Sequence, residues 1–184
     1  MYYFVRHAET FWNKYFKFKD NIASFDGKRL HDEYNLRTCP EWKQLSYGGL
    51  EQLEGIKNNL LNIIDDSLPT MVYSSNNVRT IDTAIPICKS LNLELNIDDR
   101  VDEFHGLEQS KYLSHKNVSD LMEKYKDGNV NVVIFTHMNL VRNFFRQELG
   151  KYNKMIRNGE IVQFDFHQDH EMYKPIEYYK LKRN

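Results

Sequence analysis

The sequence predicts an α/β protein with three layers, in which a central, mostly parallel sheet has helices on both of its faces. Short runs rich in β-branched and aromatic residues alternate with longer segments whose apolar residues recur at helical spacing. This alternation is typical of parallel sheets. The run at residues 130–135 is apolar on both faces apart from Asn131, as expected for a strand in the middle of such a sheet.

Six segments are predicted to be strands and four to be helices. The predicted strands are residues 2–5, 71–74, 93–97, 130–135, 161–166 and 176–181. The predicted helices are residues 46–64, 77–91, 118–126 and 139–150. Gly150 is a residue type that commonly ends a helix. Pro86 is expected to kink or break the second helix, because proline lacks a backbone N–H.

The composition fits one folded domain spanning residues 1–184. Hydrophobic residues make up 41% of the chain and charged residues 28%, which excludes an intrinsically disordered protein. The 25 basic and 26 acidic residues nearly cancel, and this balance excludes a broadly polybasic nucleic-acid binder. Neither a signal peptide nor a membrane-spanning run is found, so we expect a cytoplasmic protein with no membrane partner.

Basic and imidazole side chains follow three of the predicted strands. Arg6 and His7 come directly after the first strand, Arg79 follows the second, and His137 follows the long central strand. Ligands of parallel sheets bind beyond the carboxyl ends of the strands, so these side chains are expected to meet there. The guanidinium groups and the free N–H groups of the helix starting near Asn139 would form a phosphate or carboxylate pocket.

A histidine in such a pocket is suited to nucleophilic catalysis. Neighbouring arginines lower its pKa, and a neutral imidazole has a lone pair that can attack phosphorus. A hydrogen bond from its other ring nitrogen to a backbone carbonyl would fix the tautomer. The second histidine and the arginines would stabilise a transferring phosphoryl group, and a carboxylic acid would protonate the departing oxygen.

Four sequence blocks strengthen this interpretation because they occur together and in one order. They read VRHAETFWN at residues 5–13, LSYGGLEQ at 45–52, SSNNVRTIDTA at 74–84 and THMNLVR at 136–142. Together they resemble the histidine phosphatase superfamily, in its phosphoglycerate-mutase-like branch, over nearly the whole chain. Ala8 and Met138 stand where the family's motifs have glycine.

The resemblance implies a role for each matching residue. His7 would be the nucleophile that becomes phosphohistidine. Arg6, Arg79 and His137 would hold the phosphoryl group and take part in catalysis. The implied phosphate-binding and substrate-binding residues are Arg6, Asn13, Arg79, His137 and Met138.

The proton donor is one of two neighbouring acids. The family carries a glutamate in an L-x-E-x-x-x-G segment, and residues 101–108 here read VDEFHGLE. Aligning Val101 with the family's leucine selects Glu103, whereas aligning Gly106 with its glycine selects Asp102. We prefer Glu103, because its longer side chain suits a general acid, and keep Asp102 as the alternative.

Residues 14–44 do not follow the alternation of strands and helices. Basic and aromatic residues are interspersed there without a sustained period. Segments of this length without regular structure are usually functional or disordered. Because the segment directly follows the first motif, we interpret it as a lid or insertion over the site. Contact with a nucleotide or RNA is the less favoured interpretation.

No metal or other cofactor is expected. His167, His170 and Glu171 have a spacing that metal ligands can have, but Gln168 and Asp169 between them favour a solvated loop. The two cysteines, Cys39 and Cys88, are interpreted as ordinary thiols.

The sequence thus predicts a metal-independent phosphomonoesterase that acts through phosphohistidine on a phosphorylated small molecule or phosphoprotein. Phosphoryl transfer of the phosphoglycerate-mutase type is the first alternative. A non-catalytic phosphate-binding or scaffold protein is the second, because two family glycines are replaced. Nucleic acid is an unfavoured partner, and a homodimer remains open.

Overall fold

The computed structural model describes residues 1–14, 44–103, 108–149, 155–165 and 174–179 of the 184-residue chain. The strands are β1 (Tyr2–Arg6), β2 (Thr70–Ser74), β3 (Leu95–Ile97), β4 (Asn131–Thr136), β5 (Ile161–Asp165) and β6 (Lys174–Tyr179). The helices are α1 (Tyr47–Ile63), α2 (Val78–Leu91), α3 (Glu108–Glu123) and α4 (Met138–Leu149). A 3₁₀ turn at Asp99–Val101 follows β3.

The six strands form one sheet in the order β3-β2-β4-β1-β5-β6. The first four strands in this order are parallel to one another, whereas β5 is antiparallel to both of its neighbours, β1 and β6. Every residue of β4 is buried, which confirms it as a central strand. The prediction of a mostly parallel α/β sheet is therefore confirmed.

Helices cover both faces of the sheet, and side chains alternate between the two cores as strand geometry requires. On one face Tyr2 and Phe4 pack with the apolar residues of α3 and α4. On the other face Tyr3 and Val5 pack with those of α1 and α2. This arrangement confirms the predicted three layers and leaves the carboxyl ends of the parallel strands at one edge.

Two helices differ from the sequence-based expectation. The break allowed for at Pro86 does not occur, because α2 continues from Val78 to Leu91 and buries Ile87 and Cys88 after the proline. Helix α3 begins ten residues earlier than predicted. Near the middle of this helix Ser114 is buried while Leu113 is exposed, so hydrophobic periodicity does not detect this part of it.

The strand ends shift by one or two residues. Strand β3 begins at Leu95 rather than at residue 93, and β6 begins at Lys174 rather than at residue 176, while the predicted residues 180–181 lie outside the described part of the chain. Helix α4 ends at Leu149, and its predicted terminator Gly150 lies outside the described residues.

Residues 14–44 are interpreted as a lid or insertion. Of this segment, residues 15–43 lie outside the part of the chain that the structure describes. Its two flanks lie side by side. Thr10 and Leu45 form an isolated antiparallel bridge, and the Phe11 N–H donates to the Gln44 carbonyl at 3.2 Å. The segment therefore leaves and re-enters the described structure near the loop that follows β1. No helix in the described ranges is long and apolar enough to cross a membrane.

Candidate active site

The parallel pairing of β1 with β4 places His7 and His137, the two candidate site histidines, next to each other. Arg6 is paired with Thr136, so His7 and His137 each follow their strand at the same level. The His7 N–H donates to the Thr136 carbonyl at 3.0 Å, and the two imidazole centroids are 5.4 Å apart. The sheet therefore brings together two side chains that are 130 positions apart in the sequence.

His7 is buried and has a defined tautomer. Its Nδ1 lies 2.8 Å from the Ala8 carbonyl oxygen, which can only accept, so Nδ1 carries the proton and Nε2 carries the lone pair. Burial and the nearby Arg79 and Arg6 charges lower the pKa of His7 well below its ordinary value of 6.5. The side chain is therefore a neutral base at physiological pH.

His137 is fully buried and has the opposite tautomer. Arg79 donates from Nε and Nη2 to the Nδ1 atom of His137, at 3.2 and 2.9 Å. A guanidinium only donates, so Nδ1 is the acceptor and Nε2 carries the proton. Nε2 lies 2.8 Å from the Ser75 hydroxyl, which itself lies 2.7 Å from the Thr80 hydroxyl. This chain of hydroxyls fixes the imidazole.

Glu103 belongs to the same cluster, whereas Asp102 points elsewhere. The Glu103 Oε2 atom accepts from Arg79 Nη2 at 2.7 Å and lies 3.7 Å from His137 Nδ1. Asp102 instead accepts from the Asn76 N–H at 2.8 Å. Of the two acids considered from the sequence, Glu103 is therefore the one in contact with the arginine and histidine groups.

Arg6 is held by the turn that precedes β5. Its Nη1 donates to the Ile156 carbonyl at 2.6 Å and lies 3.7 Å from the Met138 sulfur. The Gly159 N–H donates back to the Arg6 carbonyl at 3.1 Å. With φ at 75°, Gly159 has a conformation that L residues rarely adopt. The turn at 156–160 thus holds the loop that follows β1.

Asn13 lies in the same loop. Its Oδ1 accepts from the Thr10 hydroxyl at 3.0 Å and from Asn158 Nδ2 at 3.1 Å. Asn158 Nδ2 also donates to the His7 carbonyl at 3.1 Å. With Oδ1 occupied, the Asn13 amide group that remains for a ligand is the NH₂, a donor suited to phosphate oxygens.

The alanine that replaces a family glycine is accommodated without backbone strain. Among the described residues, Asn92 is the only non-glycine residue with a positive φ, so Ala8 needs no left-handed conformation. Ala8 is fully buried, and its N–H donates to the Thr83 hydroxyl at 3.0 Å. The alanine at this position therefore causes no strain of this kind.

A close backbone approach occurs instead at Gly49 in the first turn of α1. A Cβ atom there would lie 2.0 Å from the Glu9 carbonyl oxygen. The Ser46 hydroxyl accepts from the Gly49 N–H at 3.0 Å and donates to Glu9 Oε1 at 3.0 Å. Gln52 Oε1 accepts from the Glu9 N–H at 2.9 Å. The start of α1 therefore fixes the loop that carries His7.

Sequence reasoning assigned no role to several polar residues of this site. Ser75 and Thr83 belong to the quoted block at 74–84, which singled out only Arg79. Asn158 precedes Gly159, and this dipeptide is a turn signal that could have drawn attention to the segment before β5. Asn139 was noted only as the start of a helix, and its side chain in fact contacts Glu103.

Two other predictions concern groups away from this site. No cluster of three or more potential metal ligands occurs within the described part of the chain, and His167, His170 and Glu171 lie outside it. Cys88 is buried on α2, and burial raises its pKa to about 11, which makes it an unreactive thiol. Cys39 also lies outside the described residues.

No protein-family model matches the sequence, and no curated protein matches it either. Solved structures do match over nearly the whole chain. A mycobacterial glucosyl-3-phosphoglycerate phosphatase in complex with VO3 has a TM-score of 0.63 and 16% identity, covering 95% of this chain and 96% of that chain. A mutant phosphoserine phosphatase from Entamoeba histolytica has a TM-score of 0.63 and 16% identity, covering 96% and 95%.

A phosphoglycerate mutase from Bacillus anthracis has a TM-score of 0.60 and 16% identity, covering 95% of this chain and 90% of that chain. The chain therefore has the fold of these phosphatases and of phosphoglycerate mutase. This confirms, at the level of the fold, the resemblance carried by the four sequence blocks. The chemistry of this chain has to be argued from its own site.

Proposed function

We propose that the chain is a metal-independent phosphomonoesterase that forms a phosphohistidine at His7. The observation that carries the proposal is the state of this imidazole. It is buried, its Nδ1–H is bound to the Ala8 carbonyl, and Arg6 and Arg79 disfavour its protonation. Nε2 is therefore unprotonated, and its lone pair has a fixed orientation, as a nucleophile requires.

The two arginines would bind the phosphoryl group of the substrate. In the free protein Arg6 donates to the Ile156 carbonyl, while Arg79 donates to His137 and Glu103. A phosphate dianion is a stronger acceptor for a planar guanidinium than a neutral carbonyl or imidazole is. We therefore expect both side chains to turn to the phosphate oxygens, where they would stabilise the transferring group.

The reaction would have two steps. His7 Nε2 attacks phosphorus while the bond to the leaving oxygen breaks, and a protonated Glu103 gives its proton to that oxygen. Glu103, now a carboxylate, then takes a proton from water, which attacks phosphorus and releases inorganic phosphate and free His7. The contact of Glu103 with Arg79 supports this assignment over Asp102.

The test is phosphate release from p-nitrophenyl phosphate in the presence of EDTA, for wild type and His7→Ala. We expect turnover by wild type and none above background by the variant. Quenching with alkaline SDS during turnover should trap a base-stable, acid-labile phosphoryl group on wild type alone. Equal turnover by both proteins, or turnover that EDTA abolishes, would overturn the proposal.

Phosphoglycerate-mutase chemistry is the second candidate, because a phosphoglycerate mutase shares this fold with a TM-score of 0.60. A mutase would return the phosphoryl group of His7 to a bound product instead of to water. Incubation with 2- and 3-phosphoglycerate separates the two functions: interconversion of the isomers supports a mutase, and phosphate release supports a phosphatase. Tight vanadate binding without turnover would favour the non-catalytic alternative.

Proteins of this fold are named for phosphomonoesters as different as glucosyl-3-phosphoglycerate and phosphoserine. We therefore propose a phosphomonoester substrate class, with small molecules and phosphoproteins both open. Substrate screening should include both kinds. A cytoplasmic location, a single domain over residues 1–184 and a possible homodimeric assembly stay predictions.

A further inference from the structure

We propose that Asn139 is a positioning residue that holds Glu103 in place for proton donation once the substrate has taken Arg79 away from it. This inference rests on the proposed function and adds to it a residue that the sequence blocks leave without a role. It assigns a task to the first turn of α4 that is separate from phosphate binding.

Glu103 is held on both of its carboxylate oxygens by residues from different helices. Arg79, near the start of α2, donates from Nη2 to Oε2 at 2.7 Å. Asn139, near the start of α4, donates from Nδ2 to Oε1 at 2.9 Å. The Glu103 side chain is only 14% exposed, so these two contacts largely determine its orientation.

The backbone before Glu103 is anchored to the same part of the sheet as Asn139. The Thr136 hydroxyl, at the end of β4, donates to the Val101 carbonyl at 2.6 Å, and Val101 is fully buried. Because Asn139 follows β4 by three residues, the carboxyl group and its amide partner share one rigid support. The same part of the fold therefore places both groups, while the Asn139 side chain that makes the contact is itself exposed.

The two partners of Glu103 differ in what they do when substrate binds. Arg79 is charged, and a phosphate dianion attracts it more strongly than the singly charged Glu103 carboxylate does, so we expect its contact with Oε2 to be given up. Asn139 is neutral and has no such preference, so its contact with Oε1 persists. Oε2 then becomes the atom that carries a proton and transfers it to the leaving oxygen, while Oε1 stays fixed by the amide.

If Asn139 positions the proton donor, the effect of removing it should depend on how much the leaving group needs a proton. A p-nitrophenolate ion departs with little help, whereas an alkoxide needs a proton as the phosphorus–oxygen bond breaks. The test therefore compares kcat/KM for p-nitrophenyl phosphate with kcat/KM for glycerol 2-phosphate. This parameter reports the steps up to departure of the leaving group, so the later hydrolysis step does not mask the effect.

Asn139→Leu removes the amide and keeps a side chain of similar size. We expect kcat/KM for glycerol 2-phosphate to fall about tenfold, as for loss of a hydrogen bond to a charged group, and kcat/KM for p-nitrophenyl phosphate to change less than twofold. Glu103→Gln provides the benchmark and should show the same selectivity with a larger effect. Asn139→Gln, which keeps the amide, should recover part of the loss.

The matched control is Asn143→Leu. Asn143 lies one turn further along α4, where its Oδ1 accepts from Gln147 Nε2 at 3.4 Å. It should leave the ratio of the two kcat/KM values unchanged. Thermal unfolding of each variant checks that the fold is retained.

The outcomes separate this inference from the proposed function. Equal loss on both substrates in Asn139→Leu, or a rise in KM alone, would mean that Asn139 binds substrate, and would overturn the positioning role. If Glu103→Gln shows no leaving-group dependence while phosphohistidine is trapped on wild type, the inference fails and the nucleophilic mechanism survives. An inactive wild type, with no phosphohistidine, overturns both.

Discussion

The loops after β1 and β4 each present a buried histidine at the same level of the sheet, but the two imidazoles have opposite hydrogen-bonding patterns. His7 donates from Nδ1 to the backbone of its own loop. His137 accepts at Nδ1 from Arg79 and is bound at Nε2 by the Ser75 hydroxyl. One imidazole therefore offers a lone pair to the site, and the other has both nitrogens engaged by neighbouring side chains.

This difference shows that the position of a histidine after a strand does not determine its chemistry. The partner of each ring nitrogen determines which atom keeps a lone pair. His7 has a carbonyl partner and is suited to attack, whereas His137 lies between a guanidinium and a hydroxyl and is suited to hold charge in place.

Replacement of the histidines one at a time should give the largest difference. In His7→Gln we expect kcat for p-nitrophenyl phosphate to fall by about 10⁴-fold or more, because no nucleophile remains. In His137→Gln we expect a fall of about 10²-fold to 10³-fold, as for loss of a group that stabilises transition-state charge. Steady-state kinetics on both purified variants measures the two effects.

Trapping of the phosphoenzyme separates the roles further. Quenching with alkaline SDS should yield phosphohistidine from His137→Gln and none from His7→Gln. If only His7→Gln gave a phosphoenzyme, His137 would be the nucleophile and the roles assigned to the two histidines would be reversed.

The loop that carries His7 packs closely against Gly49 of α1 through the Glu9 backbone, and the loop that carries His137 has no part in this contact. Gly49→Ala would place a Cβ 2.0 Å from the Glu9 carbonyl oxygen, so either α1 or the loop has to move. We expect the free energy of unfolding to fall by about 1–3 kcal/mol, as for overpacking, with a further loss of activity. Urea unfolding measures the change.

The neighbouring glycine is the control for this substitution. In Gly48→Ala the new Cβ would lie 3.2 Å from Glu9 Oε1, the tip of a side chain that can shift. We expect no loss of stability, because alanine is also the better helix former. Equal destabilisation by both substitutions would mean that the Glu9 backbone contact is unimportant.

Protonation of His7 should make the stability of the protein depend on pH. The folded-state pKa of His7 is lowered, mainly by burial, so the unfolded chain binds this proton more readily than the folded protein does. The associated stability is fully present above pH 6.5 and decreases as the pH falls toward the folded-state pKa. The slope is at most about 1.4 kcal/mol per pH unit.

Urea unfolding at pH 7.5 and pH 5.5 tests this dependence on wild type and His7→Gln. Wild type should lose stability relative to the variant at the lower pH, because glutamine does not titrate. A constant difference between the two proteins would contradict a depressed pKa for His7.

The smallest effect is expected from the hydroxyl that holds His137. Ser75→Ala removes the partner of Nε2 and should lower kcat about threefold to tenfold, with His7 chemistry otherwise intact. Ser74→Ala is the control, since the Ser74 hydroxyl donates to the Ser75 carbonyl and not to the imidazole. If both variants have the same kcat, the Ser75 contact does not position His137.

Much of the fold followed from local pattern. Strand β4 and the strands beside it are short apolar segments, and such segments can be recognised from the sequence alone. Helix α3 shows the limit of local pattern, because its polar Ser114 is buried and its His115 pairs with Glu148, while Leu113 is exposed. Hydrophobic periodicity indicates the burial of apolar side chains and gives no sign of buried polar ones.

The site shows the same division. Arg6, His7, Arg79 and His137 could be picked from the sequence because they follow strands in a parallel sheet. The choice between Glu103 and Asp102 could not be made from spacing, since the two alignments differ by one residue. It depends on which carboxyl reaches Arg79 after the 3₁₀ turn, and that is a property of the folded backbone.

The amino-acid sequence was enough to predict the fold class, the strand ends at which basic side chains collect, and the residues proposed to take part in phosphoryl transfer. These features could be predicted because hydrophobic periodicity is a local property of the chain. The nitrogen that keeps a lone pair in each imidazole could be identified only from the folded structure. That choice depends on the Ala8 carbonyl for His7, and on Arg79 and Ser75 for His137. Partners of this kind meet their histidine through chain folding, and a tautomer is set by such contacts alone.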